Sequence, residues 1–229
     1  MAVQVEHLEA KQAKYRQIAP ILAETYGVKQ WKRHDGMDEL ISCILSQSTT
    51  DANRDRGFEA LKTQYPQWED VHHATIDELI ETIRPAGLAN SKGPYIQGSL
   101  KAIFEERGEY NIDFIEKLPV EEAKAWLQNL PGVGPKTAAI VLCFGYNRPA
   151  FPVDTHVHRT GKRIGLLPPK ISANKAHEHM ETIVPPEDFY AFHLQLIYHG
   201  RAICSARNPK CEDCPIRQHC AYYQSLDSE

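Results

Sequence analysis

Hydrophobic residues recur along this chain at the spacing of amphipathic α-helices. Residues 1–29 carry charges on one side, and Gly27 predicts where a first helix ends. The apolar side of that helix comprises Leu8, Tyr15, Ile18, Leu22 and Tyr26. A second apolar set recurs at i, i+3, i+4, i+7 and i+8, and it comprises Met37, Leu40, Ile41, Ile44 and Leu45. This spacing predicts a second helix with one buried face.

Capping and turn signals divide the rest of the chain into further helices. The run from Thr75 to Glu78 fits a capping box, and the turn around Gly87 separates that helix from one that starts near Ser91. Asp154 and Ser172 each stand where an N-cap is expected. Alternation with a period of two is not sustained in the sequence, so we predict an all-α fold of about ten short helices.

Composition narrows the class of protein without indicating its function. The 229 residues suffice for one large or two small domains, and the formal net charge of −4 gives no support for a globally basic nucleic-acid surface. Any DNA-binding surface must therefore be local. The sequence shows neither an apolar run of ~18 residues nor an N-terminal signal segment. We therefore expect no membrane association and a cytoplasmic location, where most of the six cysteines should not form disulfides.

The stretch from Leu130 to Ala138 predicts a helix-hairpin-helix. Apolar helical segments precede and follow it, and the glycines that flank Val133 allow a tight reversal with outward-pointing N–H groups. The next helix should begin at Pro135 or Lys136, because proline is favoured in the first helical turn. Free N–H groups beside a helix N-terminus form an anion site that suits a phosphate.

Four cysteines near the C-terminal end have the spacing of a metal-binding loop. Cys204, Cys211, Cys214 and Cys220 read C-x6-C-x2-C-x5-C. Structural zinc more often uses two paired cysteine motifs, and bacterial ferredoxins use a tighter spacing. An iron–sulfur cluster or a zinc ion therefore remain the two candidates from spacing alone. Cys43 and Cys143 stand on apolar helical faces and are expected to be core residues.

The hairpin, the Val-Asp-Thr-His run at 153–156 and the cysteine spacing together resemble the endonuclease III branch of the HhH-GPD base excision DNA glycosylases. The resemblance implies that Lys136 is the nucleophile and Asp154 its electrostatic partner. An amine can form a Schiff base with an opened sugar, and a carboxylate can stabilise oxocarbenium charge. The resemblance also implies a 4Fe–4S cluster held by the four cysteines. Arg207 and Lys210 make the cluster loop locally basic, which suits contact with the phosphate backbone.

The same resemblance implies two helical lobes with an active-site cleft between them. One lobe is a helical barrel with the hairpin, residues 28–148, and the other is a discontinuous cluster domain of residues 1–27 plus 149–229. A flipped base leaves a gap that must be filled, and Leu88 and either Gln47 or Ser48 are expected to fill it. The relatives often have glutamine at the place of Ser48, so the identity of that side chain stays open. The remaining expected DNA contacts are Gly132, Val133, Gly134, Thr137 and His156.

These features lead us to expect a bifunctional DNA glycosylase/AP lyase that excises damaged, oxidised pyrimidines and cleaves the strand by β-elimination. Its partner would be double-stranded DNA with a damaged base or an abasic site, bound by a monomer at the nucleoid. Two alternatives stay open: a mismatch-specific uracil or thymine glycosylase, and a non-catalytic DNA-binding protein with a structural metal site.

Overall fold

In a computed structural model that describes residues 2–226, with side chains from residue 7 onward, every regular element is helical. The all-α prediction is confirmed. The α-helices of the described residues are α1 (Ala2–Tyr26), α2 (Gly36–Leu45), α3 (Asp51–Gln64), α4 (Trp68–His73), α5 (Ile76–Ile83), α6 (Ala89–Arg107), α7 (Val120–Gln128), α8 (Pro135–Ile140), α9 (Thr155–Ile164), α10 (Ala173–Ile183), α11 (Phe189–Ala202) and α12 (Ala221–Leu226). Short 3-10 turns lie at Arg84–Ala86, Asp113–Lys117, Pro186–Asp188 and Arg217–His219, and a π-helical turn lies at Val141–Gly145. The sequence pattern missed α4 and α12, because six residues are too few to show a period.

The chain forms two compact units. One comprises Arg33–Arg148, and the other comprises Met1–Lys32 together with Pro149–Glu229. The expected domains, a helical barrel of residues 28–148 and a cluster domain of residues 1–27 plus 149–229, stay a prediction. Within the described residues, no helix is long and apolar enough to cross a membrane.

The core of the Arg33–Arg148 unit is centred on α2. Asp35 caps this helix, since its side chain accepts a hydrogen bond of 2.9 Å from the Asp38 N–H. The apolar face predicted from the sequence is buried, and α2 contacts α3, α6 and α8. Cys43 and Cys143 are buried as predicted. Helix α6 buries Ile96, Leu100 and Ile103 in the same unit.

The other unit packs α1, α9, α10 and α11 around aromatic side chains. Helix α1 runs through Pro20 to Tyr26, and Gly27 follows with φ of +76°, which confirms the predicted C-terminal end. The Tyr15 ring meets Phe192 edge-on at 4.9 Å between ring centroids, and Phe151 meets Phe189 in the same way at 5.3 Å. These rings join the N-terminal helix to the C-terminal third of the chain.

Three predicted helix starts have the caps that the sequence indicates. Thr75 and Glu78 form the capping box of α5, Ser172 accepts from the Lys175 N–H, and Asp154 caps α9. The predicted start of α6 near Ser91 is two positions late, since the helix begins at Ala89. It begins there because a left-handed Leu88 reverses the chain immediately before it.

Replacing Phe151 should test how strongly the aromatic core stabilises its unit. Phe151 is fully buried, so Phe151→Ala leaves a cavity and should lower the free energy of unfolding by about 3–5 kcal/mol. Phe151→Leu keeps most of the apolar volume and should cost less than about 1.5 kcal/mol. Denaturant unfolding of both variants measures the difference, and equal losses would show that the ring is not tightly packed.

Candidate active site and metal centre

The predicted hairpin lies between α7 and α8 and depends on Gly132. This residue has φ of +76°, and a Cβ there would lie 2.6 Å from Cγ of Tyr95. Only glycine combines that backbone angle with such a close aromatic neighbour. The N–H of Val133 donates to the Leu130 carbonyl at 3.1 Å, and both side chains are buried. The buried side chains of Leu130 and Val133 therefore hold the hairpin in place.

The outer side of the hairpin leads directly into α8. Gly134 is the N-cap residue, with extended backbone angles of −97° and −179° and open space where a Cβ would be. Helix α8 begins at Pro135, which confirms the predicted start. Lys136 follows in the first turn with an exposed side chain, whereas Thr137 is buried. The arrangement presents backbone donors and a lysine amine on the same short stretch.

Three non-glycine residues of this unit have left-handed conformations, and two of them, Ser48 and Leu88, are predicted site residues. Ser48, after α2, has φ of +50° and is exposed. Leu88, after a left-handed Gly87, has φ of +51° and a side chain that is 59% exposed. Such conformations cost of order 1–3 kcal/mol each and persist where the surroundings hold them. A leucine side chain that is held exposed in this way is available for contact with a bound molecule.

Gln47 is bonded to the hairpin. Its Nε2 donates to the carbonyl oxygen of Gly132 at 2.8 Å. The Gln47 amide therefore supports the hairpin from the loop that follows α2, while the next side chain, Ser48, extends into solvent. Sequence reasoning named both residues but did not find this division, because it depends on a contact between residues 85 positions apart.

Asp154 belongs to the other unit, where it is half-buried at the start of α9. Its Oδ1 accepts a 2.7 Å hydrogen bond from the Val157 N–H, so the predicted capping role is present. The loop before it is fixed by two side chains that sequence reasoning missed. Glu181 accepts from the Phe151 N–H at 2.9 Å, and His193 Nδ1 donates to the Pro152 carbonyl at 2.9 Å. No local motif marks either residue, because both act across the fold.

His156 lies in the first turn of α9. Its Nδ1 is 3.1 Å from Nη2 of Arg159, and its Cβ would lie 3.0 Å from a Cβ added at Gly200.

The predicted site residues are divided between the two units. The Arg33–Arg148 unit holds Lys136, the hairpin and the two loops, and the other unit holds Asp154, His156 and the four cysteines.

The four predicted cysteine ligands line one cavity. They are Cys204, Cys211, Cys214 and Cys220, and none of them forms a disulfide. Among the described residues, no set of three or more His, Cys, Asp or Glu side chains surrounds a single metal-ion position.

Arg163 fixes the ligand loop and was missed by sequence reasoning. It donates to Cys204 Sγ at 3.4 Å and to the Ser205 carbonyl at 2.6 Å, and its own carbonyl accepts from Cys220 at 3.3 Å. It stands one turn after Arg159, which donates to the Cys204 carbonyl at 2.9 Å. Because both arginines lie on α9, the helix that Asp154 caps also supports the ligand loop.

The chemistry of these thiols fits a bound cluster. Burial raises the pKa of Cys214 to about 11, with further contributions from the neighbouring cysteines. The pKa of Cys211 is raised for the same two reasons. Cys211 and Cys214 therefore hold their protons more firmly than free thiols do, and metal binding would release those protons and stabilise the loop. His199 Nε2 lies 3.7 Å from Cys214 Sγ, and burial lowers the pKa of His199 to about 4.

The cluster loop keeps three of its basic residues exposed, Arg207, Lys210 and Arg217. Of these, Arg217 also donates to the carbonyl of Glu212 within the loop. The expected local basic surface is thus present at residues 207 and 210, and its contact with phosphate stays a prediction.

Comparison with known proteins agrees with this geometry. Residues 41–186 match the HhH-GPD superfamily of base excision DNA repair proteins, and residues 204–220 match the iron–sulfur binding domain of endonuclease III. The first match covers more than half of the chain. The chain belongs to the HhH-GPD superfamily of base excision DNA repair proteins.

Two relatives show what this chain is similar to within the superfamily. A putative DNA glycosylase of Arabidopsis thaliana is 36% identical over 190 residues, which cover 79% of this chain and 64% of the relative. The chain thus spans less than two thirds of that plant protein. Endonuclease III of Sulfolobus acidocaldarius is 33% identical over 186 residues, which cover 80% of this chain and 81% of the relative.

Solved structures show the same fold over almost the whole chain. An endonuclease III in a non-covalent DNA complex is 27% identical with a TM-score of 0.81, covering 95% of this chain and 99% of that one. A thermostable thymine-DNA glycosylase is 25% identical with a TM-score of 0.78, covering 95% and 98%. This chain is therefore a base excision DNA glycosylase of the endonuclease III type, and its cofactor is a 4Fe–4S cluster.

Alanine substitutions at the two hairpin glycines should change different properties: DNA binding at Gly134 and stability at Gly132. Gly134→Ala meets no steric obstacle in the protein, so stability should be kept while binding to damaged and undamaged duplex weakens roughly tenfold through a lost phosphate contact. Gly132→Ala should instead destabilise the fold by at least about 1–2 kcal/mol, because its backbone is left-handed and Tyr95 fills the space. Thermal melts and duplex binding measure both effects. A Gly134→Ala loss confined to damaged DNA would contradict a phosphate contact.

The metal content of the purified protein tests the ligand assignment. Protein made under iron-replete, anaerobic conditions should be brown and contain iron and sulfide, because four thiolates hold the cluster. Cys220→Ser should lose the colour and the iron, whereas Cys143→Ser, at a buried cysteine of the other unit, should keep both. Stoichiometric zinc in the wild-type protein would refute the assignment.

Proposed function

We propose that this glycosylase is bifunctional, that it excises oxidised pyrimidines, and that Lys136 and Asp154 carry the chemistry. The observation that carries the proposal is the place of Lys136. Its exposed amine follows the hairpin by two residues, in the first turn of α8. A hairpin that binds the phosphate of one nucleotide places this amine within reach of a neighbouring sugar.

In the proposed reaction the neutral Lys136 amine attacks the anomeric carbon, and the base leaves with the electron pair of the glycosidic bond. The sugar ring opens to a Schiff base with the lysine. Loss of the proton on the adjacent carbon then expels the 3′ phosphate, which is β-elimination. Water finally hydrolyses the Schiff base and returns the free amine.

Asp154 would stabilise the positive charge that develops on the sugar as the base departs. Its carboxylate is already oriented, because one oxygen accepts from the Val157 N–H and the preceding loop is fixed by Glu181 and His193. A preoriented charge needs no reorganisation during the reaction, which is the condition for strong electrostatic stabilisation. The cap and the catalytic role are thus compatible.

Leu88 and Ser48 are proposed to enter the gap that the extruded nucleotide leaves. Both have left-handed backbones and exposed side chains, and the leucine offers an apolar surface for the exposed faces of the neighbouring bases. The Gln47 amide is engaged by the Gly132 carbonyl, which favours Ser48 as the residue that faces DNA.

The proposed duplex contacts are the backbone of Gly132, Val133 and Gly134, with the backbone of Thr137, whose side chain is buried, and with His156 as further contributors. Arg207 and Lys210 would add a local basic surface, as a protein of net charge −4 requires. We place the protein in the cytoplasm as a monomer, at the nucleoid when it is bound to DNA.

A mismatch-specific thymine or uracil glycosylase is the second candidate, and the similarity to a thermostable thymine-DNA glycosylase favours it. Duplexes with single lesions separate the two functions. Strand cleavage at oxidised pyrimidines supports the first, whereas removal of thymine or uracil opposite guanine with oxidised pyrimidines left intact supports the second.

Substitution of the two catalytic residues should separate their roles. Lys136→Gln should abolish borohydride trapping and strand cleavage while duplex binding is largely kept, because several phosphate contacts remain. Asp154→Asn should slow base excision by about 10²–10³-fold, since its amide can still cap α9 but no longer stabilises positive charge.

Lys117→Gln changes an exposed lysine of the same unit and should leave every rate unchanged. Rates on a lesion duplex and on a pre-formed abasic site are compared for each variant. If Lys136→Gln traps and cleaves at the wild-type rate, the nucleophile is another residue and the bifunctional assignment fails.

A further inference from the structure

Lys92 is a lysine inside the core of the Arg33–Arg148 unit. Its side chain lies on α6 and is only 1% exposed. The Nζ donates to two main-chain carbonyls, those of Leu45 at 2.7 Å and Ala86 at 2.8 Å. Burial lowers the pKa of Lys92. A lysine is rarely kept in a core, because its charge must be removed from water. The two carbonyls offset that cost and indicate what the residue does.

Both carbonyls stand at helix ends that lead into the left-handed loops. Leu45 is the last residue of α2, and Ala86 is the last residue of the 3-10 turn. The final carbonyls of a helix lack partners within it and carry partial negative charge, so an ammonium group suits them. Ser48 follows the first carbonyl by three positions, and Leu88 follows the second by two. One side chain thus binds the starting points of both loops.

The same face of α6 also contacts the hairpin. Ser99 Oγ donates to the Pro131 carbonyl at 2.9 Å, and the Tyr95 ring fills the space beside Gly132. Lys92, Tyr95 and Ser99 are spaced at i, i+3 and i+7, which places them along one side of the helix. The loop after α2 is joined to the hairpin separately, through the hydrogen bond from Gln47 to Gly132. Helix α6 therefore contacts all three segments that are proposed to contact DNA, the two loops and the hairpin.

We propose that Lys92 is a positioning residue that fixes the Ser48 and Leu88 loops relative to each other, so that both side chains enter the duplex together when a base is extruded. The inference rests on the DNA-filling roles proposed above for those two side chains. Thr49 and Gly87 show how closely the loops approach, since a Cβ at Gly87 would lie 3.9 Å from Thr49 Oγ1. A side chain without N–H or O–H donors at position 92 could bond to neither carbonyl, and the loops would then move independently.

Lys92→Met removes the charge and both hydrogen bonds while it keeps an unbranched apolar side chain. Ile103→Val is the matched control, because it shortens another buried residue of α6 far along the helix from the two carbonyls. Hydrogen–deuterium exchange of the free protein is the first measurement. We expect faster exchange in both loops, residues 46–50 and 86–90, in Lys92→Met and not in the control. Unchanged exchange in either loop would refute the proposal that Lys92 fixes the two loops, whatever rates of catalysis are measured.

Single-turnover kinetics are the second measurement. Lys92→Met should slow excision of a well-paired lesion by ~10–100-fold, as expected when reacting groups are misplaced by about 1 Å. Cleavage at a pre-formed abasic site should change little, and so should excision of the same lesion opposite a mismatched base, because extrusion then costs less. A uniform loss on all three substrates would indicate a merely structural role and would overturn the positioning proposal.

Lys92→Arg keeps the charge and several donors, so it should recover part of the rate of excision of the paired lesion. If Lys92→Met does not fold, Lys92→Arg is compared with the wild-type protein on the same three substrates. Inactivity of the wild-type protein on every lesion would refute the proposed function instead. The exchange measurement would still decide whether Lys92 joins the two loops.

Discussion

Helix ends leave backbone N–H and carbonyl groups without partners inside the helix, and each of these groups must be bonded elsewhere. In this protein the residues that meet that requirement are also the ones that organise the site. Asp154 satisfies the first turn of α9, and Lys92 satisfies the last carbonyls of α2 and of the 3-10 turn Arg84–Ala86. The first turn of α8 follows Gly134, which has open space beside it, and its N–H groups are the ones proposed to bind a phosphate. The proposed anion site, the fixed carboxylate and the two loops thus all depend on one physical requirement.

The loops at Ser48 and Leu88 hold strained backbone conformations. Ser48 and Leu88 keep left-handed backbones that neither residue favours, and the supports beneath them are buried and hydrogen-bonded. For the DNA contacts proposed at these two residues, the folded core has already offset the cost of the strain, so that cost is not subtracted from the binding free energy. The same logic explains the glycine at position 132, where Tyr95 occupies the space of a side chain.

The cluster loop is held in place mainly by side chains of another helix. Its residues form only short turns, and Arg159 and Arg163 of α9 hold them through carbonyl and sulfur contacts. Burial raises the pKa of Cys214, so this thiol must give up a firmly held proton when the cluster binds. Cluster binding joins the four cysteines of residues 204–220, and an ordered loop keeps Arg207 and Lys210 in place on the surface.

Much of the fold could be predicted from the sequence because helix periodicity, capping residues and glycine ends are local. The all-α fold, the end of α1 at Gly27, the capping box at Thr75 and the cap at Asp154 all follow from residues within a few positions of each other. The same is true of the hairpin and of the cysteine spacing, which resemble a known family over short motifs. The short helices α4 and α12 were missed because a period needs more than six residues to be visible.

The roles of Lys92, Gln47, Glu181, His193 and Arg163 were decided only by the tertiary structure. Each of them bonds to a group that is distant in sequence, as when the Gln47 amide reaches Gly132 across 85 positions. In the sequence, Lys92 is one of 26 basic side chains and carries no sign that it is buried. A hydrogen bond between distant segments depends on how the helices pack, and packing is determined by the whole core rather than by neighbours along the chain. The sequence by itself therefore determined which groups could do chemistry, and the tertiary structure decided which groups hold them in place.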